Sequence, residues 1–181
     1  MALDVELFYF FNNLAGKSQI FDTFIVFSAS YLQYLLGAVF ILFLCFSAYS
    51  KREKFRVFFI VAVSTMVARL GIVEIIRFFY HRPRPFINNQ VYRLISENDW
   101  SFPSGHSAFF FAMATAIYLY NRRWGVVFFA AAIMMNISRV IAGAHYPSDI
   151  LGGMIVGVAA ACAVFLSAQK YGSGTGRRLT L

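Results

Sequence analysis

The sequence predicts an all-α fold, a multi-pass membrane helical bundle, and three observations predict it. Of 181 residues, 60% are hydrophobic and only 13% charged, with a mean hydropathy of +0.65, too apolar for a water-soluble domain. The apolar residues gather in five segments, Leu32–Ser50, Phe55–Tyr80, Ser107–Tyr120, Trp124–Gly143 and Ile150–Gln169. Most of them approach the ~20 residues that a spanning helix needs. The basic residues also gather: Lys51, Arg52, Lys54 and Arg56 in one loop, Arg122 and Arg123 in another, and Lys170, Arg177 and Arg178 near the end. Threading the spans puts all three groups on one side, which the positive-inside rule makes cytoplasmic. The net charge of +8 is therefore a topology signal, and no nucleic-acid partner is expected.

Taken in order, residues 1–31 read as an N-terminal interfacial segment. "MALDVELFYFFNNLAGKS" carries Asp4 and Glu6 but no early basic residue, so it lacks the charged start of a signal peptide. It suits an amphipathic helix on the outer interface. Ile20–Leu32 is too short to span alone and reads as an outer-leaflet helix leading into the first span; it becomes a sixth span if the N-terminus lies inside. Ser107–Tyr120 is short, but the polar "PSGH" before it completes the span if protein rather than lipid surrounds it. Residues 171–181 read as a flexible cytoplasmic tail, and the whole chain, 1–181, as one domain. Cys45 and Cys162 sit alone in different apolar segments, without metal spacing, and suit buried small hydrophobes.

Three polar clusters fall on the side opposite the basic loops. The first is "RFFYHRPRPF", residues 77–86, where Pro83 and Pro85 stop a helix. Arg77 then sits in the last turn, three residues after Glu74 and able to pair with it, and Arg84 sits in the extended exit. Alone, this is also what arginines snorkelling to an interface look like. The second is "SFPSGHSAFFF", residues 101–111. Pro103 and Ser104 start a helix whose free N–H groups suit an anion, with Gly105 permitting close approach and His106 alongside. Alone, it is an N-cap with an interfacial histidine. The third is "SRVIAGAHYPSDI", residues 138–150. Arg139 ends a span, Pro147 opens the next, and Asp149 falls in its first turn, where the carboxylate reaches back toward His145. A carboxylate on one imidazole nitrogen leaves the other free as base, nucleophile or ligand.

Together the clusters bring Arg77, Arg84, Arg139, Ser104, Gly105, His106, His145 and Asp149 to one face of the membrane. Ionisable groups at such depth are functional candidates. Three arginines and a helix N-terminus suit a phosphate. Two histidines, one backed by a carboxylate, are what phosphoryl transfer without a metal needs. No cofactor and no metal site are expected.

These residues resemble the type 2 phosphatidic acid phosphatase superfamily, whose signature has three parts: K-x6-RP, PSGH and SR-x5-H-x3-D. Here they are Arg77-x6-Arg84-Pro85, Pro103 to His106, and Ser138-Arg139-x5-His145-x3-Asp149. The first departs from the pattern in having Arg77 where lysine is usual, a planar fork in place of a point donor. The resemblance implies that His145 is a nucleophile forming a phosphohistidine, that Asp149 orients it and that His106 is the acid. It gives Arg77, Arg84, Ser104, Gly105 and Arg139 the phosphoryl oxygens.

The substrate would be a membrane lipid phosphate or diphosphate, reached from the periplasmic or extracellular side of a cell membrane. The opening residues are also similar to those of bacterial undecaprenyl-diphosphate phosphatases, which makes undecaprenyl diphosphate the first candidate. Phosphatidylglycerophosphate, phosphatidate and lipid A phosphates stay open, as does a non-catalytic role in lipid-phosphate binding or transport. The sequence says nothing of oligomeric state.

Overall fold

The structure is a computed structural model and describes residues 2–172. Its elements are all helical: α1 (Ala2–Asn12), α2 (Gln19–Phe46), α3 (Lys51–Phe79), the single turn α4 (Pro85–Asn88), α5 (Gly105–Tyr120), α6 (Arg122–Ile141) and α7 (Pro147–Gly172). Of the tail expected over 171–181, residues 173 onward lie outside the described residues. Among those described, α2, α3, α6 and α7 (to Lys170) are long and apolar enough to cross a membrane. Large apolar side chains stand exposed along their flanks, among them Phe46, Phe55, Phe78, Ile155 and Leu166, a surface suited to lipid.

One boundary and the burial of two cysteines differ from the sequence reading. The division at residue 31 falls inside a helix, because Ile20–Leu32 and the apolar run after it form one rod of 28 residues. The rod absorbs the junction as a widened π-helical turn, Phe27–Tyr31, and α3 has a second one, Val67–Ile72. Hydropathy does not register such a turn, since it shifts hydrogen bonds from i−4 to i−5 without changing residue type. Cys45 is exposed and Cys162 half-buried, so neither is the core residue expected. Leu44, one position earlier, is the residue that α2 turns inward, which leaves Cys45 about 100° away on the outer face.

At 16 residues α5 is too short to qualify as a span by length, and it is the most enclosed helix. Phe111, Ala112, Ala114, Ala116 and Ile117 are almost fully buried between α3, α6 and α7. Small residues allow that closeness. A Cβ on Gly157 of α7 would stand 2.4 Å from the Ala108 carbonyl oxygen, and one on Gly153 2.4 Å from that of Ser104. These glycines, four apart, make the seam along which α5 and α7 touch backbone to backbone.

The two ends of the bundle differ in composition. At the basic end, the Tyr49 hydroxyl donates to the Tyr120 carbonyl (3.3 Å) and the rings of Phe43 and Trp124 meet. At the other, α1 lies across the opening. Phe8 is buried against Val140 and Tyr146, and the Asn12 amide donates to the carbonyls of Tyr92 (2.8 Å) and Ile141 (2.9 Å). The N-terminal helix, the 80–104 loop and the 142–146 turn thus share one end, as the threading of the sequence required.

Candidate active site

The opposite end of the bundle from the basic loops holds the polar cluster, and each helix delivers its part for a local reason. The α3 helix stops at Phe79 and Pro85 holds Arg84, the residue before it, extended, so Arg77 and Arg84 approach from one side. Ser104 caps α5, its hydroxyl accepting from the Ser107 N–H (3.3 Å), which sets Gly105 and His106 in the first turn. Arg139 closes α6. Asp149 is the third residue of α7, and its Oδ2 accepts the Tyr146 backbone N–H (2.8 Å), the return half of a capping box.

All eight residues read from the sequence meet here, and most are sealed from solvent. Arg77, Arg84, Arg139, Ser104, His145 and Asp149 each expose 4% or less. Buried guanidinium groups need acceptors and counter-charge. Arg77 donates twice to the Pro103 carbonyl (3.3 and 3.0 Å) and pairs with Asp99. Arg84 donates to the carbonyls of Asp99 (2.8 Å) and Ala144 (2.9 Å), pairs with Asp99, and lies 3.5 Å from Glu97. Arg139 donates to the Ala29 carbonyl (3.0 Å), in the first π-helical turn, and pairs with Glu97. The Glu97–Asp99 pair thus occupies the arginine cluster. Burial raises the Asp99 pKa, but Arg77 and Arg84 outweigh it and hold it at about 2; Arg139 likewise keeps Glu97 below the usual range.

The histidines are held in defined tautomers. Nε2 of His145 lies 3.2 Å from Nη1 of Arg84. Arginine can only donate, so Nε2 carries the lone pair and Nδ1 the proton. That Nδ1 faces Asp149 Oδ2 at 3.6 Å and Ser101 Oγ at 3.5 Å, and Ser101 itself donates to Asp149. Burial, and then the charges of Arg139 and Arg84, hold the His145 pKa well below 6.5. Nε2 of His106 lies 3.1 Å from Gln33 Oε1, and the same amide donates through its nitrogen to the Ser30 carbonyl (2.8 Å). The Gln33 oxygen is therefore the acceptor and His106 Nε2 bears the proton.

The Glu74–Arg77 pair expected from the sequence does not form. Arg77 points inward, whereas Glu74 is exposed and pairs with Arg69, five residues earlier. The π-helical turn explains this, because it brings i and i+5 into register where an α-helix aligns i and i+3. Sequence reading also passed over Arg82, which reaches Asp149 Oδ1 (2.7 Å), Ser148 Oγ (2.6 Å) and Asp4 (2.7 Å). It missed Asp4 itself, Ser101, Gln33 and Arg69. His81, in the same run as Arg82, packs its ring at a tilt against that of Trp100. Beside the cluster, a cavity of about 610 Å³ runs between α2, α3 and α5. Apart from Gln33, Arg69 and His106 its walls are largely apolar, and exposed Tyr34, Phe58 and Met66 mark its open flank.

An arginine-lined anion site beside two oriented histidines, reached by an apolar groove in a helical membrane bundle, is the equipment of a phosphate-ester hydrolase working on lipids. Comparison with known proteins agrees: the PAP2 superfamily matches residues 56–173, and the chain belongs to that family. Its relatives include the bacitracin transport permease protein BcrC of Bacillus licheniformis, 30% identical over 93% of this chain and 82% of the relative. Another is the undecaprenyl-diphosphatase BcrC of Bacillus subtilis, 29% identical over 86% of this chain and 79% of that protein. Among solved structures, that of Aquifex aeolicus LpxE superposes with a TM-score of 0.75 at 27% identity, covering 92% of this chain and 96% of that one. The protein is a membrane-embedded hydrolase of the phosphatase and diphosphatase type.

Proposed function

We propose that the chain hydrolyses a lipid diphosphate, undecaprenyl diphosphate first among them, to the lipid monophosphate through a phosphohistidine. The observation that carries this reading is the His145 tautomer: its Nε2 lone pair points into the arginine cluster while Nδ1–H faces Asp149. The terminal phosphoryl group would enter where Glu97 and Asp99 now meet Arg77, Arg84 and Arg139, with Ser104 and the Gly105 amide at the start of α5 adding donors. Nε2 attacks phosphorus, the bond to the bridging oxygen breaks, and its electron pair leaves with the lipid. Asp149 balances the charge on the phosphorylated imidazole. His106 enters this step as the imidazolium, protonated on both nitrogens; it gives the Nε2 proton to the leaving oxygen and becomes neutral, then takes a proton from the water that attacks the phosphohistidine and releases inorganic phosphate. The arginines stabilise the transition-state charge, a contribution of about 3–4 kcal/mol for one donor in comparable oxyanion sites.

A likeness to an undecaprenyl-diphosphatase and the largely apolar lining of the groove support the polyprenyl substrate. Phosphatidylglycerophosphate, phosphatidate and lipid A phosphates share the same reacting group. The clustering of basic residues in the loops at the other end of the bundle supports a site that faces the outer side.

Phosphate release by the purified protein across a panel of these lipids tests the substrate. Quenching with substrate radiolabelled in the terminal phosphate tests the mechanism. Acid-labile label should sit on His145 and vanish in His145→Ala; label on His106 would reverse the two roles.

A further inference from the structure

Arg69 stands outside the three-part signature, yet it occupies the junction between the polar cluster and the apolar groove. It comes from the π-helical turn of α3, which points it across the start of α5. There the fit is tight: a Cβ on Gly105 would lie 2.4 Å from Arg69 Nε. Arg69 lines the groove with His106 and Gln33, whereas His145 is not part of that lining and meets Arg84. Its Nη2 is 3.9 Å from Asp99, the carboxylate shared by Arg77 and Arg84, so its charge already faces the same anion. The other partner is Glu74, half exposed at 50%, and Arg69 itself keeps 30% of its side chain accessible. Arg77, Arg84 and Arg139 expose 4% or less. The three buried arginines are locked to backbone carbonyls, and Arg69, paired with carboxylates, is the most accessible of the four.

We propose that Arg69 holds the second, lipid-linked phosphate of a diphosphate substrate and so selects diphosphates over monophosphates. This rests on the diphosphatase reading above and adds a residue to it. The order along the site requires such a group: nucleophile, terminal phosphate, leaving group, then apolar chain. His106 marks the leaving-group position, and the groove begins there. In a diphosphate, the oxygen released by phosphorus belongs to another phosphate, which gains negative charge as the anhydride bond breaks. A guanidinium beside His106 neutralises that charge and fixes the leaving phosphate in two-pronged fashion. A monophosphate ester places an alkyl carbon there and gains nothing from the cation.

The test compares kcat/KM on a polyprenyl diphosphate and on a phosphatidate of defined chain length, both in the same detergent micelles. Arg69→Ala and Arg69→Met should each lower the diphosphate-to-monophosphate ratio about 10- to 100-fold, the scale of one charge-assisted contact. Most of the loss should appear in kcat on the diphosphate. Arg69→Lys should recover part of the ratio. An equal fall on both substrates, or a Met variant with the wild-type ratio, would mean that Arg69 only packs on Gly105, and the proposal is overturned. A wild-type enzyme active on monophosphates alone would instead defeat the diphosphatase reading and remove the ligand assigned to Arg69. Diphosphatase activity with an unchanged ratio in the variants defeats the Arg69 assignment alone.

Discussion

His145 and Arg84 meet with Nε2 and Nη1 3.2 Å apart, a histidine accepting from a cation that is always protonated. The imidazole is neutral in that arrangement, and burial with Arg139 and Arg84 keeps its pKa well below 6.5. In the folded protein the neutral form therefore persists as pH falls past the point where an ordinary histidine protonates. The acid limb of kcat/KM assigned to His145 should lie clearly below pH 6.5. The sign for stability is the reverse of the usual salt-bridged histidine: below 6.5 the unfolded chain binds the proton first, so this group lowers stability as pH falls. A pH–rate profile with its acid limb at or above 6.5 would contradict the neutral, buried state.

Glu97 and Asp99 should compete with phosphate for the arginines. In Glu97→Gln/Asp99→Asn the buried guanidinium groups lose their internal counter-ions, so the melting temperature should drop. Added inorganic phosphate should raise it by more than in the wild type, because binding to the folded state alone stabilises in proportion to the logarithm of ligand over Kd. Thermal unfolding in detergent with and without phosphate reads both effects. An equal phosphate response in the two proteins would mean the carboxylates do not share the anion's place.

The Asp4–Arg82–Asp149 chain links the N-terminal helix to the carboxylate that faces His145. Arg82 touches Asp149 on the oxygen that His145 does not face, and Asp4 anchors Arg82 and the Ser148 N–H (2.9 Å). Asp4→Ala should lower kcat about tenfold, the scale of one lost charge-assisted hydrogen bond, with little change in KM. Steady-state kinetics check this, and Asp4→Glu should restore part of the loss.

Gly157 should tolerate nothing larger. Its added Cβ would lie 2.4 Å from the Ala108 carbonyl oxygen and 2.8 Å from the Ala112 nitrogen, both backbone atoms that cannot turn aside. Gly157→Ala should cost about 1–3 kcal/mol, the usual scale of overpacking. Gly71, with nothing within 4 Å of its Cβ position, is the control, and Gly71→Ala should be neutral or slightly stabilising. Melting temperatures of the two variants separate the cases.

Activity should survive chelation. Glu97 and Asp99 are committed to arginines, and no group of three metal-binding side chains occurs among the described residues. Turnover measured before and after EDTA treatment checks it; loss restored by Mg²⁺ would require a different account of charge neutralisation.

Why the eight site residues were legible and their partners were not has a physical answer. Helix ends repeat fixed local geometry, so Pro85, Ser104 and Asp149 announced where Arg84, His106 and His145 would stand. Glu97, Asp99 and Ser101 lie in a loop without periodicity, where nothing in the residue order says which side chains turn inward. Asp4 meets Arg82 across 78 residues of chain, a contact that only packing creates. The π-helical turns were hidden for a related reason. They move Glu74 from Arg77 to Arg69 while leaving every residue as apolar or polar as before.

The short α5 helix has a kinetic consequence. From Tyr120 at the basic end to Gly105, 16 residues rise only about 24 Å, less than the ~30 Å of a bilayer's hydrocarbon. On the proposed mechanism the reacting phosphate would therefore sit below the opposite surface, beside a groove whose open flank carries the exposed side chains of Tyr34, Phe58 and Met66. A lipid can meet this enzyme by diffusing in two dimensions, its tail never crossing water. Reaction velocity should then follow the mole fraction of substrate in the micelle or membrane, so that diluting it with inert lipid at constant bulk concentration slows the enzyme.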